Sequence, residues 1–451
     1  MIILIKTLQV ILGLGILILI HEFGHFFFAK LFGIRVDKFF LFFDAGGVKL
    51  FSTKSKWFTK ICPKAAEWET EYGIGWLPLG GYCKICGMID ESMDTEQMKN
   101  EPQPWEFRTK PAWQRLFVMA GGVLFNFIFA IIMYICILGI WGEQYISNED
   151  KQIYVNELAY DLGFRNGDHI ISYDDYVPEN FQMLQADLVR EMTHNVKVLR
   201  DSNVVDIYID QSKIGEILKT PGMFGLALPF VIDSIPENSI NYNSGLCKGD
   251  VLVSISDTLN QFKQIQFRQD AFPILKEQAK KGSVEVKFLR GADTVSTVLN
   301  LNADGKAELL LTQPEISVKE YTALSAIPAG FTKTFSTIGG YIQDLKLVFT
   351  PSTEAYKSVG SFISIGQIFP ETWDWQRFLN ILALLSIMLG VMNLLPIPAL
   401  DGGHMVFTLY EMITRRKPSD KFLEVMQVIG MILIFGLMIL AFGNDIIKLF
   451  R

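Results

Sequence analysis

The chain has 451 residues, of which 50% are hydrophobic and 20% are charged, and its mean hydropathy is +0.26. Soluble globular proteins carry about 25% charged residues, and the apolar residues here come in long blocks, which indicates membrane spans. The apolar content excludes a disordered or collagen-like chain. The net charge of −7, without a long basic run, gives no electrostatic basis for binding nucleic acid.

Four stretches are long and apolar enough to cross a bilayer, which takes about 20 apolar residues. They are residues 1–20, 116–142, 378–400 and 425–444. The first has no small-residue cleavage site, so we expect a retained helix and not a signal peptide. The pattern predicts a polytopic α-helical membrane protein with four transmembrane helices in a lipid bilayer.

Lysine and arginine are distributed unevenly around these spans. They are frequent between the first and second spans, and residues 415–417 before the fourth span are all basic. Basic residues accumulate on the cytoplasmic side, so both segments should be cytoplasmic. The long segment between the second and third spans should then lie outside, together with both termini.

Two β features are expected on the cytoplasmic side. Residues 75–85 are rich in glycine and aromatic residues and predict a membrane-associated β-hairpin that contains Gly80, Gly81 and Tyr82. A second strand pair is expected around Phe51. Cys83 and Cys86 form a CxxC, but no second CxxC or nearby histidine pair completes a zinc site, so we expect two ordinary hairpin side chains.

The segment between the second and third spans contains an internal repeat. Residues 162–171 match residues 244–253, each with two glycines four apart, then an aspartate and a short apolar run. About 180 residues suit two small domains. The repeated turn resembles that of tandem PDZ domains, which are α+β; two unrelated Gly-Asp turns are the alternative. No disulfide is expected there, because Cys247 has no partner cysteine in the segment.

After the repeat, residues 321–349 have apolar side chains at helical spacing, interrupted by polar ones. This pattern is typical of an amphipathic helix on the outer membrane surface. A helix packed against a soluble core is the alternative. The expected domains are therefore residues 1–142, 143–229, 230–320 and 321–451.

The chemistry centres on an H-E-x-x-H sequence at the end of the first span. His21 and His25 are four residues apart, so on a helix both imidazoles lie on one face and can reach one zinc ion. Glu22, between them, can accept a proton from a water molecule. Ionisable residues at this depth are costly and usually functional. A pair of interfacial histidines is the alternative.

Zinc in an enzyme needs a third protein ligand and an open position. The third span ends in Asn393-Leu-Leu-Pro-Ile-Pro-Ala-Leu-Asp401-Gly-Gly-His404, whose two prolines must interrupt a continuous helix. Asp401 is a lone carboxylate just after an apolar span and can supply the ligand. His404 is a rival, and an N-cap for the next helix is another role for Asp401.

Together these features resemble the site-2 proteases, a family of intramembrane zinc metalloproteases. The resemblance is carried by the H-E-x-x-H, the Gly-Gly-Tyr-x-Lys segment, the PDZ-like repeats and the N-x-x-P-x-P-x-L-D-G-G before His404. The type it resembles is the bacterial regulator of sigma-E protease, with four spans and a periplasmic PDZ tandem in the inner membrane.

The resemblance implies a residue-by-residue assignment. His21, His25 and Asp401 would bind Zn²⁺, Glu22 would be the catalytic base, and Asn393 would help to hold the substrate backbone. Asn126 offers a second amide group in the same apolar setting, although hydrogen bonding between helices is an alternative role for both asparagines. A substrate strand added beside Gly80, Gly81 and Tyr82 could capture unwound backbone.

The expected reaction is peptide-bond hydrolysis inside the membrane, in single-pass proteins whose outer domain has already been clipped. Such substrates include anti-sigma factors and remnant signal peptides. Two other classes stay open from the residues alone. A membrane scaffold with PDZ-like domains would not need His21, Glu22, His25 and Asp401 together. A metal transporter would be expected to repeat polar residues along several spans.

Overall fold

The computed structural model describes residues 2–78, 80–88 and 101–449. Its contacts separate two units. The helical unit comprises Met1–Gly142, Glu320–Phe349 and Tyr356–Arg451, and the β unit comprises Glu143–Lys319 and Thr350–Ala355.

The described residues form α-helices and short β-strands. The helices are α1 (Ile2–Leu31), α2 (Lys56–Ile61), α3 (Ala112–Trp141), α4 (Glu157–Asp161), α5 (Leu184–Arg190), α6 (Ile214–Lys219), α7 (Arg268–Gln278), α8 (Ala323–Phe349), α9 (Phe362–Ile368), α10 (Trp375–Leu394), α11 (Asp401–Thr414) and α12 (Asp420–Leu449). The strands are β1 (Val36–Leu41), β2 (Lys49–Ser52), β3 (Glu71–Gly75), β4 (Tyr82–Ile85), β5 (Glu143–Tyr145), β6 (Ile153–Val155), β7 (His169–Tyr173), β8 (Asn195–Arg200), β9 (Asn203–Tyr208), β10 (Phe224–Leu226), β11 (Ile232–Ser234), β12 (Val251–Ser256), β13 (Phe262–Gln264), β14 (Ser283–Arg290), β15 (Asp293–Asn300), β16 (Leu310–Leu311) and β17 (Ser317–Lys319).

Within the described residues, α1, α3, α10 and α12 are long and apolar enough to span a membrane, which confirms the four expected spans. Helix α1 continues beyond residue 20 to Leu31, because no proline intervenes before the turn at Gly33, whose φ is +62°. His21 and His25 therefore lie inside this helix. Helix α10 ends at Leu394, before the two prolines of the following loop.

Helix α3 is the centre of the helical unit and contacts α1, α8, α10 and α11. Its crossing with α1 is close because glycines face each other there. A Cβ atom on Gly24 would lie 2.2 Å from the carbonyl oxygen of Gly121, so neither position has room for a side chain. Small residues at such crossings let helix backbones touch in a membrane, and this contact brings the histidine face of α1 against α3.

The amphipathic helix expected at residues 321–349 is α8. Helix α8 lies lengthwise against α3, with Gly330 beside Ile135 and Ala326 beside Gly139, so the two helices are antiparallel. Ile338 and other apolar residues of α8 pack on a core shared with α3 and α10. Part of its apolar surface is therefore covered by two candidate spans, while other apolar side chains, including Phe331 and Phe335, are exposed.

The predicted hairpin over residues 75–85 is wrong. The sheet order is β2-β3-β1-β4, so β1 lies between the two strands that the hairpin would have paired. Strand β3 is parallel to β1 and β4 is antiparallel to it. The glycines of this segment let the chain cross closely over the backbone of Phe43 and do not form a tight turn. A Cβ atom on Gly75 would lie 2.2 Å from that backbone. The strand pair around Phe51 is confirmed, as β2 pairs with β3.

In the β unit, the first copy of the repeat is a tight turn closed by an ion pair whose carboxylate is buried. Gly163 and Gly167 both have positive φ, +107° and +91°, which explains the two glycines. Arg200, at the end of β8, donates to both carboxylate oxygens of Asp168 at 2.7 Å and to the carbonyl of Gly163 at 2.8 Å. The backbone N–H of Arg165 also donates to Asp168, at 2.8 Å.

The second copy repeats this geometry atom for atom. Gly245 and Gly249 have φ of +74° and +89°. Arg290, at the end of β14, donates to both oxygens of Asp250 at 2.7 Å and to the carbonyl of Gly245 at 2.8 Å. The sequence repeat is thus a structural repeat, in sheets ordered β7-β8-β9 and β13-β12-β14-β15.

Candidate metal centre and active site

The two histidines of α1 project from one helix face, because residues four apart are one turn apart. Their Nε2 atoms lie 3.4 Å from each other. His25 is buried, and His21 is half-buried against α3.

Asp401 completes a triangle of ligand atoms. Its Oδ2 atom lies 3.3 Å from Nε2 of His21 and 3.4 Å from Nε2 of His25. Zinc binds histidine nitrogen and carboxylate oxygen at about 2.0–2.2 Å, so two ligands of a tetrahedral ion lie about 3.3–3.6 Å apart. All three edges match that separation. The donor set, two imidazoles and one carboxylate, is one that catalytic zinc sites use, and these residues therefore fit the metal.

Two features of the loop between α10 and α11 place Asp401 beside the two histidines. Ala399 has a φ of +76°, a backbone conformation that residues other than glycine rarely adopt. Gly402 and Gly403 lie against the loop's own backbone, where a Cβ atom on Gly402 would meet the Leu395 carbonyl at 2.3 Å. The loop is therefore folded back tightly, and α11 begins at Asp401.

The outer nitrogens of both imidazoles face α3. Nδ1 of His25 lies 2.8 Å from the carbonyl oxygen of Val118. Nδ1 of His21 lies 3.1 Å from the side-chain amide of Asn126. Between these contacts, a Cβ atom on Gly122 would lie 2.6 Å from both His21 Cε1 and His25 Nε2, so only glycine leaves room for the two rings.

A cavity of about 520 Å³ opens beside the triangle. Its lining includes the three proposed ligands, Glu22, Gly81 and Tyr82. The Glu22 carboxylate faces the backbone N–H of Cys83 in β4. The candidate base, the ligand atoms and one strand of the sheet thus face the same cavity.

The other predicted site residues lie elsewhere. Gly80 is packed against the ring of Phe43. The side-chain amide of Asn126 contacts Nδ1 of His21, and that of Asn393 lies 3.5 Å from Nε2 of His21. Neither asparagine is among the cavity-lining residues. His404, the rival ligand, lines the cavity but is outside the ligand triangle.

Sequence reasoning missed Gln427, which lines the cavity from α12 and is 4% exposed. An amide near the start of an apolar span is a signal that could have identified it. The Val118 carbonyl contact had no such signal, since a backbone atom leaves no trace in the sequence.

Apolar spans around a His-His-Asp triangle, with a glutamate in the same cavity, define a class: a membrane-embedded metalloprotease. Sequence comparison agrees. The family described as Peptidase family M50 matches residues 9–437, and the chain belongs to that family. It is a zinc metalloprotease of the site-2 type.

Similar proteins cover nearly the whole length of the chain. The regulator of sigma-E protease RseP of Salmonella typhimurium is 28% identical, over 97% of this chain and 98% of its own. The regulator of sigma E protease of Haemophilus influenzae is 25% identical over the same shares.

Proposed function

We propose that the protein hydrolyses peptide bonds within the transmembrane segments of other membrane proteins. The observation that carries this proposal is the triangle of His21, His25 and Asp401, which is built partly from the second half of an apolar helix. Ionisable groups at that depth are costly unless they serve the function. Soluble substrates would not require such a position.

The proposed roles follow from the positions of the side chains. His21, His25 and Asp401 would hold Zn²⁺. When bound, zinc polarises a carbonyl oxygen and makes a water molecule acidic enough to lose a proton near neutral pH. Glu22 takes that proton and later gives it to the leaving nitrogen. The nearby N–H of Cys83 orients the Glu22 carboxylate before the proton transfer.

A transmembrane substrate must first expose its backbone, since a helix pairs its own carbonyl and N–H groups. Strand β4 supports a way to stabilise the unwound segment. It is the last strand of the order β2-β3-β1-β4. Gly81 and Tyr82 lie at its start and line the cavity. A substrate strand added there would place its backbone beside Glu22.

The β unit is proposed to be a periplasmic tandem of PDZ-like domains, with a boundary near residue 230. The support is the repeated turn, with its paired Asp–Arg contacts, and the basic residues of the opposite segments. The location would be the bacterial inner membrane. Single-pass proteins whose outer domain has been clipped, such as anti-sigma factors or remnant signal peptides, are the proposed substrates.

A reconstituted assay tests the proposal. The purified protein and a single-pass substrate with a short outer stub are placed together in liposomes, and the products are mapped by mass spectrometry. We expect a cut within the apolar segment that a zinc chelator abolishes. Cleavage only outside the apolar segment, or cleavage that persists in the chelator, would refute the proposed function.

A further inference from the structure

The side chain of Asn126 is unusual because it is wholly buried yet only half paired. The residue is 0% exposed, in the middle of α3. Its amide nitrogen lies 3.1 Å from Nδ1 of His21. Its Oδ1 atom is buried and has no hydrogen-bond partner among the described residues. A buried amide oxygen without a donor is costly, so the site needs an explanation.

Metal binding by His21 would decide which atom of the Asn126 amide must face its Nδ1. The Nε2 atom of His21 points into the ligand triangle, and a nitrogen that binds a metal carries no hydrogen. A neutral imidazole has one N–H, so Nδ1 must then be the donor. An amide NH₂ group cannot accept that hydrogen. The oxygen of the same amide can, and turning the group by half a turn exchanges the two atoms with little change of shape.

We propose that Asn126 is a positioning residue, whose Oδ1 accepts the Nδ1–H of His21 and so fixes the tautomer and orientation of that ring for zinc. The inference rests on the proposed metal site. His25 already has such an acceptor, because the Val118 carbonyl oxygen lies 2.8 Å from its Nδ1. Oδ1 of Asn126 would be the corresponding acceptor for His21. Outer partners of this kind hold metal-binding imidazoles and raise their affinity for the ion.

Two other roles for Asn126 fit the structure less well. Substrate binding requires exposure to the cavity, but the side chain is fully buried and is absent from the cavity lining. Adhesion between helices is already supplied by its backbone, because the Ser386 hydroxyl of α10 donates to the Asn126 carbonyl at 2.9 Å. The side chain is therefore free to serve His21.

Zinc affinity tests this inference independently of cleavage. The full-length protein is purified in detergent, stripped of metal and titrated with zinc against a chromophoric chelator. Asn126→Leu keeps the size but removes the acceptor, Asn126→Asp keeps an acceptor, and Ser386→Ala is the matched control that loosens the same helix contact without touching His21.

We expect Asn126→Leu to weaken zinc binding about 10–100-fold, while Asn126→Asp and Ser386→Ala bind at least nearly as tightly as the wild type. Wild-type affinity in Asn126→Leu would overturn the inference, even with cleavage lost. Equal loss in Asn126→Leu and Asn126→Asp would also overturn it, because shape and not the acceptor would then matter. If Asn126→Leu does not fold, Asn126→Ala is titrated with the same expectation and the same refutation. A wild type that binds no zinc would instead refute the proposed metal site, so the two failures are distinguishable.

Discussion

At the scale of single residues, two kinds of close contact define the site: ligand atoms that face one another, and glycines that leave room for the imidazole rings. Asp401 Oδ2 and two imidazole nitrogens face one another at 3.3–3.4 Å, three electron-rich atoms that are stable together when a cation or shared protons lie between them. Glycines at the crossing of α1 and α3 make the rings fit, and Gly122 is the tightest of these positions against the rings.

Gly122→Ala is therefore expected to weaken zinc binding by at least about tenfold, because the new methyl group must displace a ring whose orientation sets affinity. Gly139→Ala in the same helix is the control. Its Cβ atom would meet Ala326 at 3.6 Å, an ordinary contact. Zinc titration of the two purified variants checks the prediction. Equal affinities in both variants would show that the rings tolerate a side chain at residue 122.

At the scale of elements, periodicity predicted what lies on one helix. The spacing of His21 and His25 gives a shared face, and the apolar blocks give the spans. Contacts between distant elements could not be predicted in this way. Strand β1 enters between β3 and β4 because the glycines permit a close crossing, and a glycine-rich segment looks the same in sequence whether it turns or crosses.

The repeat also contains contacts between distant elements that the sequence did not predict. Its glycines and aspartates are adjacent in sequence and could be recognised, whereas Arg200 and Arg290 lie 32 and 40 residues further on. Each arginine closes its turn from the end of a different strand. Nothing local marked them as partners of Asp168 and Asp250.

The second repeat turn makes a prediction about pH. Hydrogen bonds from Arg290, helped by the Cys247 N–H and opposed by burial, hold the pKa of Asp250 below its ordinary value. In the unfolded chain this pKa returns to about 4. The ionised carboxylate therefore stabilises the fold above about pH 4, and that stability is lost as the pH falls through the lower pKa of the folded state.

Asp250→Asn should lower the free energy of unfolding at pH 7 by about 2 kcal/mol, the contribution of hydrogen bonds to a charged group. The loss should shrink as the pH approaches 3. Urea unfolding of residues 143–319, followed by circular dichroism from pH 3 to 7, measures it. Asp233→Asn is the control, since Asp233 pairs with Lys248 at an exposed surface. Parallel pH curves for Asp250→Asn and the wild type would contradict the prediction.

At the scale of the whole molecule, four candidate spans and a β unit belong to one chain, and the polar groups of the site lie within the helical unit. Membership of Peptidase family M50 makes the chain a zinc metalloprotease. We propose separate roles for four side chains: His21, His25 and Asp401 would hold the metal, and Glu22 would move the proton.

Glu22→Gln tests these roles most directly, because it removes the base and keeps the size of the side chain. The zinc content and the cleavage of a single-pass substrate are measured on the same liposome preparation. We predict as much zinc per protein as in the wild type and a rate at least about 100-fold lower, the lower bound for loss of a general base. Zinc lost together with activity would make Glu22 a ligand, and near-normal cleavage would remove it from the mechanism.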